Sequence, residues 1–293
     1  MGTVLERLSA GEARGGANDT EVLQSVMVAA YEQLKPYMAP GALTTLFTLP
    51  SQHAWVTDDP ETDNCTYVGV PFINDCDFDL SGAVLHHLRG ELRPRQPARN
   101  GSLYSVNQSA FVPAAATLNA SQLDATALVY VPAACNASGA CGFHVHYHGC
   151  ELYYPVWNSM HLGLLQWAEA NAIAVLLPRV AWSERNPAGC WDWEGTTGAA
   201  FDTYDGVQLR TVTNMLEAMK RDGPLSIAAG PAGPDPPLAR ELGGAPLHLA
   251  LHRRLVRVRA RVRVRVGVRV RVRVRVTVRV RVKVKVRVRV TVR

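Results

Sequence analysis

Three histidines stand at alternating positions in the segment FHVHYHGC, residues 143–150. Side chains at alternate positions of a β-strand share a face, so His144, His146 and His148 would form one wall of a metal site. The chain offers no acidic or cysteine ligands at a matching spacing to complete that site. The segment alone therefore leaves three interpretations open: a metal site, a catalytic histidine, or a strand whose imidazoles have no free chemistry.

Asp19 and His53 are a second candidate group, because catalysis by a hydroxyl nucleophile needs a base that accepts its proton and an acid that orients the base. Asp19 lies just before a helix-like segment, where it could meet a histidine or simply cap the helix. His53 follows a short strand-like segment and lies close to Trp55, a position suited to a mobile loop. From these residues alone, a helix cap and a surface histidine remain open alternatives.

The segments that must position these residues alternate between strand-like and helix-like patterns, which predicts α/β layers with a largely parallel sheet. The strand candidates are LTTLFTLP, TALVYVP, GFHVHYHG and AIAVLLP, and segment 58–79 is loop-like. The helix candidates are ANDTEVLQSVMVAAYEQLKPYM, WNSMHLGLLQWAEAN and YDGVQLRTVTNMLEAMKRDG. The first helix, capped by Asp19 or Thr20 and stopped by Pro36, has the predicted face Val22, Val26, Ala30 and Leu34. The third has the predicted face Leu209, Val212, Leu216 and Met219.

Over roughly residues 16–221, the chain resembles the extracellular poly(3-hydroxybutyrate) depolymerases and related esterases. The resemblance is carried by ALVYVPAAC, CGFHVHYHGC, QWAEANAIAVLLPRV, NPAGCWDWEG and DGVQLRTVTNML, and HGC followed by NPxGCWDW is a specific pair. Upstream, GANDTEV is similar to the catalytic-acid loop of the family and LPSQHAW to its catalytic-histidine loop. The resemblance implies a partial, circularly permuted α/β-hydrolase sheet with flanking helices, in which the serine, acid and histidine elements precede the HGC half.

The same resemblance implies roles for individual residues. Asp19 becomes the catalytic acid, His53 the base, and the backbone N–H of Cys150 a donor to the oxyanion. Trp191 and Trp193 are either core residues or, as a hypothesis, the lining of an acyl pocket for an ester or polyester substrate.

For the histidine tract, the resemblance favours a buried strand over a metal site. His144 and His148 fall on family positions that bind no metal, whereas His146 stands where a small apolar residue is usual. Neither a metal nor any other cofactor is expected.

Six cysteines and six N-x-S/T glycosylation acceptors favour an oxidising, secretory setting. Sequence alone does not fix the connectivity. The resemblance implies the disulfides Cys150–Cys190, Cys65–Cys76 and Cys135–Cys141. The N-terminal MGTVLERLSAGEARGG has no apolar region typical of a signal peptide, and no run is long enough to span a membrane. We therefore expect an extracellular protein whose true N-terminus is missing from this sequence.

The serine nucleophile of this family should lie in a G-x-S-x-G turn, and the chain contains no such string. The nearest approximation is RLSAGE, where Arg7 replaces the first glycine and Ser9 lies too close to Asp19 for the intervening elements. We therefore predict a serine-type carboxylic-ester hydrolase fragment that is inactive as given. The alternatives are a feruloyl-type esterase, a non-catalytic binding protein that has lost the serine, and a polyanion-binding protein.

The basic residues are concentrated at one end of the chain. From residue 253 onward there are 18 Lys and Arg and no acid, and the remainder has 13 basic against 25 acidic residues. The net charge of +6 therefore does not predict specific nucleic-acid binding, although the tail could contact polyanions nonspecifically. The expected organisation is an N-terminal remnant at 1–15, the hydrolase fragment at 16–222, a Pro/Gly/Ala-rich linker at 223–252, and a Val-Arg tail at 253–293 that is disordered or an artefact of gene assignment.

Overall fold

The computed structural model describes residues 11–14, 16–99, 102–138, 141–152 and 154–235. The Val-Arg tail and most of the predicted linker lie outside the described residues, as does most of the N-terminal remnant. Within the described part of the chain, helices flank mixed β-sheets, so the fold is α/β. No helix there is long and apolar enough to cross a membrane.

The central sheet has five strands in the order β10-β6-β7-β9-β8. Their bounds are Leu103–Asn107 for β6, Thr126–Tyr130 for β7, Gly142–Val145 for β8, Ile173–Leu177 for β9 and Ala228–Pro231 for β10. Only β8 and β9 pair in parallel, and the other three pairings are antiparallel. The prediction of a largely parallel sheet is therefore wrong for the central sheet. Parallel strands need a crossover connection, and here two helices, α5 (Pro155–His161) and α6 (Leu164–Asn171), supply one between β8 and β9.

Strand β9 lies at the centre of the core, because every one of its residues is buried. Ile173, Val175 and Leu177 pack on one face of the sheet with α2 (Leu80–Arg89) and α6 (Leu164–Asn171). Ala174 and Leu176 pack on the opposite face with α7 (Val207–Asp222). Because side chains alternate between the two faces of a strand, one continuous apolar run packs against the helices on both sides of the sheet.

The predicted face of α7 is partly wrong. Val212, Met215 and Met219 are buried against the sheet, whereas Leu209 is 38% exposed. Positions 208, 211, 215 and 218 also face the core, so the helix is rotated from the predicted stripe. The polar side chains of Gln208 and Thr211 occupy part of this face. The spacing of apolar residues in the sequence therefore does not identify the buried face correctly.

A second, two-stranded parallel sheet joins β1 (Gly11–Arg14) to β2 (Leu43–Leu46). The crossover contains α1 (Gln24–Leu34) and a short 3₁₀ turn at Lys35–Tyr37. No residue of α1 is buried, and Val26 is 54% exposed. The predicted caps are also wrong, because Leu23 occupies the N-cap position without a side-chain hydrogen bond. Asp19 forms a separate turn upstream.

The cysteine-bearing segment 58–79, predicted as a loop, contains short strands. Strands β3 (Trp55–Thr57), β4 (Asp63–Asn64) and β5 (Ile73–Asp75) form a parallel sheet in the order β3-β5-β4. A disulfide joins Cys65 to Cys76 in this region. The remaining short helices are α3 (Leu118–Ser121) and α4 (Ala133–Ser138), with Cys135 of α4 bonded to Cys141.

Two further boundaries differ from prediction. The segment WNSMHLGLLQWAEAN forms two helices, α5 (Pro155–His161) and α6, which are separated at Gly163 with φ of 76°. The start of the predicted linker forms a 3₁₀ turn at Pro224–Ile227 and then β10, which pairs with β6. The central sheet therefore extends past residue 222.

Candidate active site

The loops that follow β1 and β2 lie side by side, because the carboxyl ends of neighbouring parallel strands meet at one edge of a sheet. The backbone N–H of Ala17 donates to the carbonyl of Leu49 at 2.8 Å. The side-chain amide of Asn18 donates to the carbonyl of Pro50 at 3.1 Å. These bonds hold the loop carrying Asp19 against the loop that leads to His53.

Gly16 permits this close approach. A Cβ atom at residue 16 would lie 2.1 Å from the carbonyl oxygen of Ser51 and 2.5 Å from its hydroxyl, distances that no side chain tolerates. The sequence therefore needs glycine here, three residues before the candidate acid.

Asp19 and His53 form a hydrogen-bonded pair. Oδ2 of Asp19 lies 2.9 Å from Nδ1 of His53, while Oδ1 accepts from the backbone N–H groups of Glu21 and Val22 at 2.9 Å each. The Asp19 side chain is only 7% exposed, whereas that of His53 is 45% exposed. A neutral imidazole that donates from Nδ1 to a carboxylate has its lone pair on Nε2, which is the form required of a general base.

Aromatic contacts connect the His53 segment to the histidine tract. The indole of Trp55 lies edge-on to the ring of His146, with centroids 5.0 Å apart, and its Nε1–H donates to the carbonyl of Leu162 at 3.0 Å. On the other side, Phe72 lies edge-on to His53 itself at 6.0 Å. The acid–base pair is thus linked through Trp55 to the strand that leads to Gly149 and Cys150.

The three histidines do not share a metal site in the described structure. Strand β8 ends at Val145, so only His144 lies within it. The Nε2 atom of His148 accepts the backbone N–H of Val180 at 3.1 Å and its Nδ1 bonds to the carbonyl of Gly149. Both nitrogens of His148 are therefore occupied in holding the turn.

The histidine tract is held in the neutral state. Burial, with smaller contributions from His144 and His148, lowers the pKa of His146 to about 3. Burial and the neighbouring Arg89 lower the pKa of His144 to about 4, and burial is the main cause that lowers the pKa of His148. The residues of β8 are half-buried and not fully buried as expected, because β8 is an outer strand of the central sheet in the described part of the chain.

The turn after His148 exposes Gly149 and Cys150. A disulfide joins Cys150 to Cys190, and the indole N–H of Trp191 donates to the carbonyl of His148 at 3.1 Å. The two segments HGC and NPAGCWDW are therefore adjacent in the fold. Trp191 packs against the core cluster around α7, whereas Trp193 is 72% exposed.

The segment that carries Trp193 is organised by Asp192. Its carboxylate accepts backbone N–H groups from residues 194–197, with distances between 2.7 and 3.1 Å, and the hydroxyl of Thr197 at 2.6 Å. Burial alone would raise the pKa of Asp192, but the hydrogen bonds from Thr197, Thr196 and Glu194 outweigh it and lower that pKa to about 2. The carboxylate thus fixes the loop between Cys190 and α7.

Sequence reasoning missed one cluster of potential ligands. Asp59, Glu61 and His161 lie together, and Oδ2 of Asp59 is 2.8 Å from Nδ1 of His161. The two segments are 102 positions apart between Asp59 and His161, so no local spacing announces the group. The local sequence shows only two acidic residues at alternate positions, Asp59 and Glu61, and such a pair does not by itself indicate a ligand group.

No family model matches the chain. The poly(3-hydroxybutyrate) depolymerase of Delftia acidovorans is 31% identical over 229 residues, which cover 76% of this chain and 43% of that protein. The polyhydroxybutyrate depolymerase of Talaromyces funiculosus is 31% identical over 221 residues, which cover 69% of this chain and 63% of that protein. The chain thus spans about half of the one relative and under two thirds of the other.

Two solved structures are similar in fold. A PHB depolymerase with a serine-to-alanine substitution, complexed with an R3HB trimer, has a TM-score of 0.63 and 27% identity, covering 71% of this chain and 69% of that one. The PHB depolymerase from Penicillium funiculosum has a TM-score of 0.61 and 28% identity, covering 69% of this chain and 67% of that one. Sequence and fold therefore point to the same group of proteins.

Proposed function

We propose that this chain, a relative of the poly(3-hydroxybutyrate) depolymerases in sequence and fold, carries the acid, the base and an oxyanion donor of a carboxylic-ester hydrolase. The observation that supports this most directly is the 2.9 Å contact between Asp19 and His53. The acid is nearly buried and held by two backbone N–H groups, while the base is open to solvent. This is the division of roles that acyl transfer to a hydroxyl requires.

In the proposed reaction, Nε2 of His53 takes the proton from a serine hydroxyl as the serine oxygen bonds to the ester carbonyl carbon. Asp19 keeps the proton of the imidazole on Nδ1 and stabilises the imidazolium that forms. The backbone N–H of Cys150 donates to the oxyanion of the tetrahedral intermediate. His53 then gives the proton to the departing alkoxide, and water repeats the sequence to release the acid.

The serine itself must come from another segment, because the sequence contains no G-x-S-x-G turn. The geometry offers a place for that segment. Strand β8 is an outer strand of the central sheet in the described structure, so an additional strand could pair with its free edge. A nucleophile turn after such a strand would lie at the same end of the sheet as the HGC turn.

For the substrate we propose a poly(3-hydroxybutyrate)-type polyester. The relatives are named for this polymer, and one solved relative is complexed with an R3HB trimer. Exposed Trp193, on the loop beside Cys190, offers apolar surface to a methyl-substituted polyester. Trp191 stabilises the neighbouring HGC turn through its hydrogen bond to the carbonyl of His148. Three disulfides fit an oxidising compartment, so we propose that the protein acts outside the cell.

The test supplies the missing nucleophile. An N-terminal extension carrying a G-x-S-x-G serine is fused to this chain, and hydrolysis of p-nitrophenyl butyrate and of 3-hydroxybutyrate oligomers is measured. We expect turnover only when the extension is present. Matched variants with serine changed to alanine, or with His53→Gln, should lose that turnover while keeping the circular dichroism of the parent.

A folded fusion protein without esterase activity would overturn the proposal. So would activity that survives His53→Gln, since a base elsewhere would then be responsible. A fusion protein that hydrolyses p-nitrophenyl esters but not 3-hydroxybutyrate oligomers would leave the hydrolase in place and reject the polyester.

A further inference from the structure

We propose that Asp59, Glu61 and His161 bind one divalent transition-metal cation of the zinc type, at a site separate from the Asp19–His53 pair. One ligand atom of each residue lies within 4.8 Å of the other two. Zinc is bound by nitrogen at about 2.0–2.1 Å and by carboxylate oxygen at about 2.0–2.2 Å, so the ligand atoms of a tetrahedral site lie roughly 3.4 Å apart, and small side-chain movements would bring these three residues to that geometry. This inference does not depend on the proposed hydrolase activity.

Two different elements build the site. Asp59 and Glu61 follow β3 in the chain, and His161 is the last residue of α5. The indole of Trp55 in β3 donates to the carbonyl of Leu162, immediately after His161. The fold therefore fixes the two segments relative to each other without any help from the proposed ligands.

The ligand side chains are held in place before a cation arrives. The Oδ1 atom of Asp59 accepts the backbone N–H of Glu61 at 3.0 Å, and the carbonyl of Asp59 accepts from Thr62 through both its N–H and its hydroxyl. The ring of Trp157 stacks on His161 with centroids 4.1 Å apart. Such prior orientation reduces the entropy lost when a cation binds.

In the cation-free protein, Oδ2 of Asp59 and Nδ1 of His161 share a proton at 2.8 Å. A cation bound to both atoms replaces this hydrogen bond, and the imidazole then carries its proton on Nε2. The exposed carboxylate of Glu61 supplies a third ligand that needs no rearrangement of the core. Two carboxylates and one imidazole would leave a zinc ion an open position for water.

An independent observation supports a hydrated ligand in this place. The three residues open onto a pocket of about 560 Å³ that is also lined by Val156, Met160 and Gln166. The Oε1 atom of Gln166 is buried and accepts no hydrogen bond from the described residues. Buried acceptors are normally paired, and a water in this pocket would supply the missing donor.

The donor set decides between cations. Imidazole nitrogen favours zinc and its first-row neighbours, whereas calcium and magnesium take oxygen ligands. The remaining carboxylate of the pocket, Asp235, is committed to the backbone N–H groups of Val156 and Trp157 at 2.7 and 2.8 Å. It stabilises the start of α5 and does not compete as a ligand.

The experiment measures zinc binding to the full chain with its disulfides intact, by titration calorimetry and by competition with a chromophoric zinc indicator. We expect one high-affinity zinc ion per chain, a raised midpoint of thermal unfolding with zinc, and no comparable effect of calcium. Glu61→Gln is the central variant, because this exposed side chain can be changed without disturbing the fold, and it should weaken binding at least tenfold. Asp59→Asn and His161→Gln should weaken it further.

Two matched controls separate this site from others. His53→Gln alters a histidine–aspartate pair of similar geometry for which the described part of the chain offers no third ligand, and zinc affinity should not change. His146→Leu should also leave it unchanged, and the zinc X-ray absorption spectrum should show one imidazole ligand. Absence of binding, binding unaffected by Glu61→Gln, or loss of binding in His146→Leu would each overturn the proposal.

Discussion

The carboxylate of Asp19 divides its two oxygens between backbone and histidine. Oδ1 accepts two backbone N–H groups, so the carboxylate cannot rotate, and Oδ2 is left for Nδ1 of His53. One side chain therefore fixes both the orientation of the imidazole and its tautomer. The nearby Gln52, which accepts from the N–H and hydroxyl of Thr20, adds a further link between the two loops.

Replacing Asp19 by asparagine should reverse the tautomer of His53. The amide oxygen can still accept the two backbone N–H groups, but its NH₂ group then faces Nδ1 and places the imidazole proton on Nε2. In the fusion protein that carries a serine, we expect kcat to fall by roughly four orders of magnitude with little change in the thermal midpoint. Nitrogen NMR of His53 reports the tautomer even in the chain without the extension, and an unchanged Nδ1–H signal would contradict this role of Asp19.

His146 should make the protein sensitive to acid. Its pKa is about 3 in the folded chain, against about 6.5 for an unfolded histidine. Between these values the unfolded chain binds a proton at this residue that the folded chain does not. The free energy of unfolding should therefore fall as pH is lowered from about 6.5 toward about 3.

Urea unfolding as a function of pH checks this expectation. His146→Leu should flatten the pH dependence in that range, and His144→Leu should flatten it to a smaller extent because the pKa of His144 is about 4. A slope identical to that of the parent in His146→Leu would show that the acid sensitivity comes from other groups.

Among the elements, the 192–197 segment owes its shape to a single carboxylate. Asp192 accepts successive backbone N–H groups there, and its own N–H donates to Gln208 of α7 at 2.9 Å. The loop that presents Trp193 is thereby tied to the helix layer. Hydrogen bonds to a charged acceptor contribute about 1.5–3 kcal/mol each, although this segment is partly exposed and solvent reduces that value.

Asp192→Ala should therefore lower the free energy of unfolding by about 1–3 kcal/mol, because the backbone donors lose their acceptor. Asp192→Asn is the matched control, since it keeps one acceptor oxygen and should cost less. Chemical denaturation gives the stability, and fluorescence quenching of Trp193 reports the loosened loop. Equal stability of the two variants would mean that the carboxylate does not organise the segment.

Gly16 tests the contact between the loop that carries Asp19 and the loop that leads to His53. Gly16→Ala would place a methyl group 2.1 Å from the Ser51 carbonyl, so the loops must separate and the Asp19–His53 distance must increase. We expect loss of the Nδ1–H signal of His53 and a lower thermal midpoint. Gly233→Ala is the control, because its Cβ would meet nothing within 4 Å. An intact His53 signal in Gly16→Ala would contradict this steric argument.

Across the whole molecule, sequence patterns predicted the layered α/β fold and most element types. The apolar run at Ile173–Leu177 indicated a fully buried strand, and the structure confirms it. The patterns failed where tertiary context decides: strand direction depends on which connections cross over, and the face of α7 depends on polar Gln208 and Thr211 being buried.

The candidate site was likewise predictable only in part from the sequence. Asp19 and His53 were identified through loop motifs whose residues alone were equally consistent with a cap and a surface histidine. Their 2.9 Å contact depends on parallel pairing of β1 with β2, which local sequence does not specify. Asp59, Glu61 and His161 carried no motif, because α5 and the loop after β3 meet only in the folded chain.

Two exposed surfaces, the outer edge of β8 and one face of α1, lead to a prediction about the whole molecule. The outer edge of β8 pairs with no strand among the described residues, and the guanidinium of Arg89 donates to the carbonyl of Phe143 there. Helix α1 buries no residue, and its Val26 and Leu34, together with Leu23 at the N-cap, are exposed. A strand edge and an apolar helix face of this kind favour self-association.

The N-terminal extension that carries the serine should therefore stabilise the chain as well as activate it. We expect the chain alone to bind a hydrophobic dye and to form oligomers in size-exclusion chromatography, and the fusion protein to be monomeric with a higher thermal midpoint. An extension with serine changed to alanine should give the same stabilisation without turnover, because pairing with β8 needs backbone hydrogen bonds and not the hydroxyl. If the chain alone is already monomeric and as stable as the fusion protein, the edge of β8 is not where the added extension binds.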